Sequence, residues 1–238
     1  MTSVIVIPAR MASTRLPGKP LADIHGRLMI AWMVDLARRA NAGPVLVAAA
    51  EEEIAEAALK AGANVTLTDP DLASGSDRVH AAIEAFDPSG RFDVLVNLQG
   101  DMPTMRAEDV ARAVAALRDS ADIATLVSPS NDPADRDNPN VVKVICAADG
   151  RCLAFTRAPA PWGEGPVERH VGIYLYRRDA LARFVAAPPS PLERREKLEQ
   201  LRALEMGMTI RADAIDHFPK GVDSPADLAV ARAVLARN

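Results

Sequence analysis

Val4-Ile5-Val6-Ile7-Pro8-Ala9-Arg10-Met11-Ala12-Ser13-Thr14-Arg15-Leu16-Pro17-Gly18-Lys19-Pro20 is the stretch whose reading decides the fold. Four β-branched residues run straight into a loop that holds three cations, two hydroxyls, one glycine and three prolines. The apolar run has the character of a strand buried in a parallel sheet. The loop leaves the carboxyl end of that strand, the rim at which open α/β sheets bind their ligands. Arg10, Arg15 and Lys19 lie close enough to repel one another unless an anion joins them. The loop therefore reads as a polyanion site, most naturally for a nucleoside triphosphate, in preference to a solvated basic loop.

Composition narrows the field. The chain has 238 residues, which fits one large α/β domain or a domain with a small appendage. Apolar residues make up 49%, enough for a full core, whereas aromatics are only 4%, too few for base-stacking platforms. The net charge of −4 argues against a general DNA or RNA binder. A basic loop in an acidic chain points to a small anionic ligand. No apolar run approaches the roughly 20 residues needed to span a membrane. The N-terminus enters a core strand directly, so a reducing cytoplasm and no secretion signal are expected. Cys146 and Cys152 flank Ala147-Ala148-Asp149-Gly150, which looks like a hairpin turn. Two buried thiols are the expectation, with a disulfide or half a metal site as the alternative.

Strand-like and helix-like segments alternate through the first half. Met29, Met33, Leu36, Ala37 and Ala40 have helical spacing. Pro44 to Ala49 reads as a strand, Glu51 to Ala61 as a helix ending at Gly62, and Val65 to Leu67 as a short strand. Asp69 to Ser76 is a polar loop leading into a helix through Val79, Ile83 and Phe86. Phe92 to Leu98 is a second strong strand, Glu108 to Arg118 a helix and Ile123 to Val127 a strand. This rhythm implies a mostly parallel sheet flanked by helices on both faces. The second half changes character. Ser128 to Asn140 reads as a long surface connection. Val141 to Ile145 and Cys152 to Phe155 form a hairpin through Asp149-Gly150. Arg157 to Pro166 is Pro-rich and irregular. Val171 to Tyr176 is strand-like, Ala180 to Ala186 and Lys197 to Met206 are helical, Thr209 to Ala212 is a strand, and Asp227 to Ala236 is a closing helix. The expectation is a single domain over 1–238, with 128–190 as an antiparallel hairpin insertion.

Asp101 ends an apolar parallel strand at the same rim as the basic loop. Gly100 before it allows close backbone approach. Asp101 alone would serve equally as a cap; beside a triphosphate it reads as a Mg²⁺ ligand, since Mg²⁺ takes few protein carboxylates and completes its shell with water and phosphate. Asp223, in a turn before the last helix, offers a second carboxylate. Ser224 with Pro225 and Asp227 is an ordinary helix start that leaves Asp223 free. Ser74-Gly75-Ser76-Asp77-Arg78 opens a helix whose N–H groups either hold an anion or are simply capped. Arg157, Arg169 and His170 form another basic set; His170 reads equally as a core histidine or as a contact to an acidic substrate. Glu199 and Gln200 lie in an apolar helix, facing a sugar hydroxyl or only solvent.

Taken together, Ile7 to Ile30, Ser74 to Arg78, Gln99 to Pro103, Asn138 to Val144, Arg169 to Tyr176, Pro189 to Leu204 and Gly221 to Leu228 resemble the 3-deoxy-manno-octulosonate cytidylyltransferase (CMP-KDO synthetase) family. The loop motif marks sugar nucleotidyltransferases broadly. Asn138-Pro-Asn-Val-Val-Lys-Val, Arg169-His-Val-Gly-Ile-Tyr and Pro189-Ser-Pro-Leu-Glu are the more specific parts. The resemblance implies a Rossmann-like nucleotidyltransferase fold, a cytoplasmic homodimer with dimer contacts largely from the second half, and dependence on Mg²⁺. It implies that Ala9, Arg10, Ser13, Arg15, Lys19, Ser74, Gly75, Arg78, Gln99 and Asp101 hold CTP and that Asp101 and Asp223 bind the metal. It places Gln99, Arg157, His170, Tyr174, Glu199 and Gln200 around an acidic keto-sugar, with Arg10, Lys19, Asp101 and Asp223 as the catalytic set.

The implied reaction is in-line attack of the sugar's anomeric hydroxyl on the α-phosphorus of CTP, with pyrophosphate leaving, in service of lipopolysaccharide synthesis. The sequence departs from the family pattern at Met102, where Glu is usual, and at Ala49-Ala50, where Thr-Asp is usual. The segment Pro161 to Glu168 is also shorter. These departures leave two other readings: a cytidylyltransferase for a related acid such as an amino-octulosonate or nonulosonate, or a degenerate nucleotide-binding paralogue that acts as a regulator.

Overall fold

The computed structural model describes residues 2–117 and 121–236. Two compact units divide the chain, Met1–Ala111 with Pro219–Asn238, and Arg112–Phe218. The first is built around β1 (Ser3–Ala9). Val4, Ile5, Val6 and Ile7 are all fully buried, each contributing about 1.5–3 kcal/mol relative to exposure. β-Branched side chains buried on both faces are what a central parallel strand demands.

Pairing follows from that. After the short antiparallel hairpin β2 (Asp23–Ile24) and β3 (Arg27–Leu28) comes α1 (Met29–Ala40), which buries Met29, Ile30, Met33, Val34, Leu36 and Ala37 and stops at Asn41 in the left-handed region. β4 (Val45–Ala49) then pairs with β1 in parallel, with Ala9 opposite Ala49. α2 (Glu52–Lys60) leads to β5 (Asn64–Leu67), and α3 (Gly75–Phe86) to β6 (Val94–Leu98). β6 pairs with the other edge of β1, Asn97 opposite Val6. The order β6-β1-β4-β5 is parallel throughout. The closing helix, Pro225–Leu235, returns to this unit: Leu228, Ala231 and Leu235 pack with Ile24, Met29 and Val222.

The chain passes through α4 (Ala107–Ala116) into the second unit; the expected helix end at Arg118 lies outside the described residues. β7 (Ile123–Ser130), α5 (Pro133–Asp137), β8 (Lys143–Cys146), β9 (Cys152–Thr156), β10 (Val167–Arg177), α6 (Arg178–Ala186), α7 (Pro191–Glu196), α8 (Gln200–Glu205) and β11 (Ile210–Ala214) follow. β10 runs antiparallel to β7 and β8, the β8–β9 hairpin is antiparallel, and β11 joins β7 in parallel.

The structure corrects several expectations. The strand over 123–127 extends to Ser130, and the connection after it holds α5, whose N-cap Asp132 accepts from Ala134 N–H. β10 starts four residues before the expected Val171, at Val167. Buried Thr125 donates to Ile173 O at 2.7 Å, beside a register shift between Val171 and Tyr174 that marks a bulge. The helix read over 197–206 is shorter, Gln200–Glu205, and a separate helix, α7, precedes it over Pro191–Glu196. Lys197 sits at φ 55, a conformation no helix interior tolerates, and α7 before it starts with a Ser190/Glu193 capping box. β2 and β3 are too short for periodicity to reveal. Cys146 and Cys152 face each other across the hairpin as free thiols. Cys152 is buried but Cys146 is only partly so, against the expectation of two buried thiols. Their mutual hydrogen bond and then burial push the Cys152 thiol up.

Candidate active site

The rim of β1 and β6 builds the site. A Cβ on Gly100 would lie 2.9 Å from Pro8 O. Only glycine therefore lets the end of β6 turn so tightly past β1, and that turn delivers Asp101. The Asp101 carbonyl accepts from Val222 N–H at 2.8 Å. This bond moors the segment before the closing helix and brings Asp223 alongside Asp101. Ser224 caps that helix by accepting from Asp227 N–H at 3.2 Å, so Asp223 is left for other work, as its neighbours in sequence suggested.

The basic loop closes on itself. Gly18 adopts φ 69 at the start of a 3-10 turn, Lys19–Leu21, and its N–H reaches Met11 O at 3.1 Å. Glu51 Oε2 accepts from Met11 N–H at 3.0 Å. Pro20 is buried. The result is a stiff loop that aims Lys19 inward. Lys19 Nζ donates to Asp101 Oδ2 at 2.6 Å and to Asp223 Oδ1 at 3.1 Å. Arg15 meets the other Asp223 oxygen at 3.1 Å. Burial pulls the Lys19 pKa down, but Asp101 and then Asp223 outweigh it and leave it above the ordinary lysine value. The ammonium stays charged.

These groups line one cleft of about 720 Å³, a volume in the range of nucleotide-sized sites. Ala9, Arg10, Ser13, Arg15, Lys19, Ser74, Gly75, Arg78, Gln99, Asp101 and Asp223 all line it, so the structure gathers every residue expected to touch CTP or metal. Their local roles differ. Ser74 caps α3 by accepting from Asp77 N–H. Arg78 is buried, and its guanidinium donates to Thr68 Oγ1 at 2.6 Å, Asp69 O at 3.0 Å and Pro70 O at 3.1 Å. Burial, and then the charge of Arg10, lower its pKa. Arg10 is exposed and makes no ion pair among the described residues. Arg10 and Arg78 thus put positive charge into the cleft.

The other expected residues belong to the second unit. His170 packs edge-on to Phe155, with centroids 5.4 Å apart, and 5.2 Å from Tyr174. Its Nε2 lies 3.1 Å from Thr125 Oγ1. Enclosure pulls its pKa down to about 4, so the ring is neutral near pH 7. Burial, Tyr176 and then Glu199 raise the Tyr174 phenol. Gln200 is buried, and its Nε2 has no partner among the described residues. Arg157 donates to Glu196 O at 2.9 Å and Pro139 O at 2.8 Å. Arg169 turns instead to Asp135, at 2.9 Å, and over the Phe218 ring. The anticipated basic set of Arg157, Arg169 and His170 is therefore not one cationic patch: one member is neutral and another ion-paired. Sequence reading missed Glu51, Thr125 and Phe155, because nothing in their local pattern announces a long-range partner.

The sequence profile of the cytidylyltransferase family matches residues 4–210, and the chain belongs to that family. Its curated relatives include the 3-deoxy-manno-octulosonate cytidylyltransferases of Parvibaculum lavamentivorans, 58% identical over 99% of this chain and 93% of the relative, and of Rhodospirillum centenum, 56% identical over 98% and 93%. A solved CMP:2-keto-3-deoxy-manno-octonic acid synthetase complexed with CTP has a TM-score of 0.93 at 36% identity, covering 100% of this chain and 99% of that one. A cytidylyltransferase from Leptospira borgpetersenii, 16% identical with a TM-score of 0.68, covers 100% of this chain and 88% of that one and shares the fold.

Proposed function

We propose that this chain transfers the cytidylyl group of CTP to the anomeric hydroxyl of 3-deoxy-D-manno-octulosonate, releasing pyrophosphate and supplying lipopolysaccharide synthesis. The observation that carries the reading is the cleft that Arg10 and Arg15 line and in which Lys19 meets Asp101 and Asp223. The names of the relatives at 52–58% identity supply the nucleotide and the sugar.

Such transfers depend on positioning and charge stabilisation more than on covalent catalysis. Arg10, Arg15 and Lys19 hold the triphosphate. Arg10 and Lys19 offset the charge that builds on the α,β-bridging oxygen as pyrophosphate leaves. Ser13, the backbone around Ala9, and Ser74-Gly75 at the start of α3 contact the nucleotide, with Arg78 stiffening the 68–70 segment beside them. No side chain acts as a covalent nucleophile. Two carboxylates drawn onto one ammonium form a donor set that fits Mg²⁺, which needs few protein oxygens and fills its shell with water and phosphate. Asp101 and Asp223 would hold the ion, which when bound polarises phosphate oxygens and favours the alkoxide. We assign Arg157, His170, Tyr174, Glu199 and Gln200 to the acid sugar, with Gln99 shared between the ligands.

The chain works as a cytoplasmic homodimer in this reading. Among the described residues no helix is long and apolar enough to cross a membrane. Trp162, 96% exposed in the second half, supports a protein contact there, which sedimentation analysis tests. The activity is tested by pyrophosphate release with CTP, Mg²⁺ and a panel of keto-sugar acids. Release with the octulosonate is expected. No release with any acid, or a preference for an amino-octulosonate or nonulosonate, overturns the assignment.

A further inference from the structure

Met11 and Glu51 each stand two residues beyond a matched pair of strand ends, Ala9 on β1 and Ala49 on β4. Neighbouring parallel strands thus bring them to one rim from 40 residues apart, and Glu51 Oε2 accepts from Met11 N–H at 3.0 Å. A backbone N–H only donates, so the direction of this bond is fixed. Glu51 is the N-cap residue of α2, yet its side chain makes no cap bond to that helix. Glutamate is not among the residues that cap helices well, and Glu52 and Glu53 already give the first turn its negative charge. The Glu51 carboxylate is turned instead to the loop after β1. Met11 is where that loop closes: its carbonyl takes Gly18 N–H at 3.1 Å, and Gly18 starts the turn that carries Lys19. The Met11–Gly18 bond lies within the loop and moves with it, whereas the Met11–Glu51 bond ties the loop to the next strand. Arg10 and Ala12, on either side of Met11, line the cleft. Glu51 also bears on the cleft's charge. Burial and then Arg10 lower the Arg78 pKa, and Glu51 opposes them. A carboxylate this close to a polyanion site works against the ligand's charge, so its presence calls for an offsetting gain.

We propose that Glu51 is a positioning residue for the triphosphate: by clipping the Met11 amide to the end of β4, it holds Arg10, Ser13 and Lys19 in the arrangement that binds CTP. The inference rests on the cytidylyl transfer proposed above. Glu51 acts through the loop and takes no part in bond making or breaking. Without the clip the loop samples other positions, and CTP has to bind the fraction of molecules in which the cations converge. One lost hydrogen bond to a charged group sets the scale, about tenfold in CTP affinity. The acceptor sugar does not draw on this loop, so its binding stays nearly as it was.

Glu51→Ala and Glu51→Gln test this, with calorimetric titration of CTP, KM and kcat for both substrates, thermal melting, and hydrogen exchange of the Met11 amide. Glu51→Ala should weaken CTP binding and raise its KM about tenfold, with kcat and the octulosonate KM changed less than about threefold. Glu51→Gln keeps an acceptor toward Met11 N–H and should restore most of the loss. The Met11 amide should exchange slowly in the wild type and in Glu51→Gln, and quickly in Glu51→Ala. Normal CTP affinity in a folded Glu51→Ala overturns the proposal. So does a Glu51→Gln as weak as Glu51→Ala, because the charge and not the bond would then matter. If Glu51→Ala does not fold, the wild-type Met11 amide decides: slow exchange together with normal CTP affinity in Glu51→Gln supports the clip, and exchange as fast as that of an open loop overturns it. A wild type that binds CTP but releases no pyrophosphate defeats the proposed reaction instead, and the calorimetric comparison of the variants still decides the role of Glu51.

Discussion

Lys19 and Asp101, 82 residues apart in sequence, meet at 2.6 Å at the carboxyl ends of two adjacent parallel strands. The same ammonium holds Asp223 at 3.1 Å, across 204 residues. Lys19 thus bridges two carboxylates that would otherwise repel each other, and Arg15 supplies a second positive charge to Asp223. The Lys19 ammonium occupies the place between the two carboxylates proposed above to hold Mg²⁺.

Asp101→Asn should abolish turnover and spare the fold. The substitution keeps the shape and the carbonyl mooring to Val222, but removes the charge. Losing several kcal/mol of charge stabilisation lowers kcat on the order of a thousandfold or more. Steady-state pyrophosphate release checks this, with circular dichroism and melting to show a native fold. A near-normal rate would refute the role given to Asp101.

Lys19→Met should uncouple metal binding from nucleotide binding. In the wild type, Mg²⁺ alone must displace the ammonium, so it should shift the melting temperature by less than about 1 °C, with a larger shift when CTP is added. The variant leaves Asp101 without its cation beside Asp223, which keeps only Arg15. It should melt lower without metal and recover when Mg²⁺ is added. Its use of CTP should suffer more than its use of the sugar. Melting curves with and without each ligand decide the matter.

Gly100→Ala should destabilise the chain by about 1–3 kcal/mol, since the new methyl group meets the Pro8 carbonyl and backbone has to shift. The displaced turn carries Asp101, so kcat should fall further than stability alone explains. Urea unfolding and kinetics on the same sample separate the two effects.

Asp227 carries a pH signature. Burial raises its pKa, but hydrogen bonds from Lys220, Ser224 and the Asp223 N–H outweigh it and hold the carboxyl at about 2. The folded value lies below the unfolded one. The contribution is therefore present above about pH 4 and is lost as pH falls toward 2. Asp227→Asn should cost on the order of 2 kcal/mol at pH 7 and progressively less below pH 4. Denaturant titrations of both forms at several pH values measure the difference.

His170 should titrate near 4 by NMR, well below an ordinary histidine, because its ring is enclosed by Phe155 and Tyr174. A histidine lowered in the fold resists protonation. It therefore weakens folding as pH drops from about 6.5 toward 4, where the unfolded ring takes up a proton first. A His170 titration near 6.5 would show a ring open to water.

Much of the first unit was legible in order along the chain. Val4 to Ile7 state a buried parallel strand, and Pro17, Gly18 and Pro20 state a rigid loop at its end. Met29, Met33 and Leu36 state a helix face. Ser224-Pro225 with Asp227 states a cap and frees Asp223. These are local facts, set by φ/ψ limits, side-chain period and capping chemistry. The second unit was less legible. α7 buries no residue and so shows no apolar period, the left-handed Lys197 ends it before α8, and β10 outruns its apolar core because Glu168 and Arg169 are polar residues paired with β8 and β7.

By itself, the sequence determined which residue types stand at the rim: three loop cations, Asp101 at a strand end and Asp223 before a capped helix. Tertiary structure alone decided that Lys19 bridges both aspartates, that Arg78 is spent on the 68–70 segment, and that Arg169 pairs with Asp135. The reason is physical. Periodicity and capping act over a few residues, whereas an ion pair or a buried hydrogen bond depends on where distant backbones converge. Here that convergence is set by the close passage of Gly100 beside Pro8 and by the bond from Val222 to Asp101.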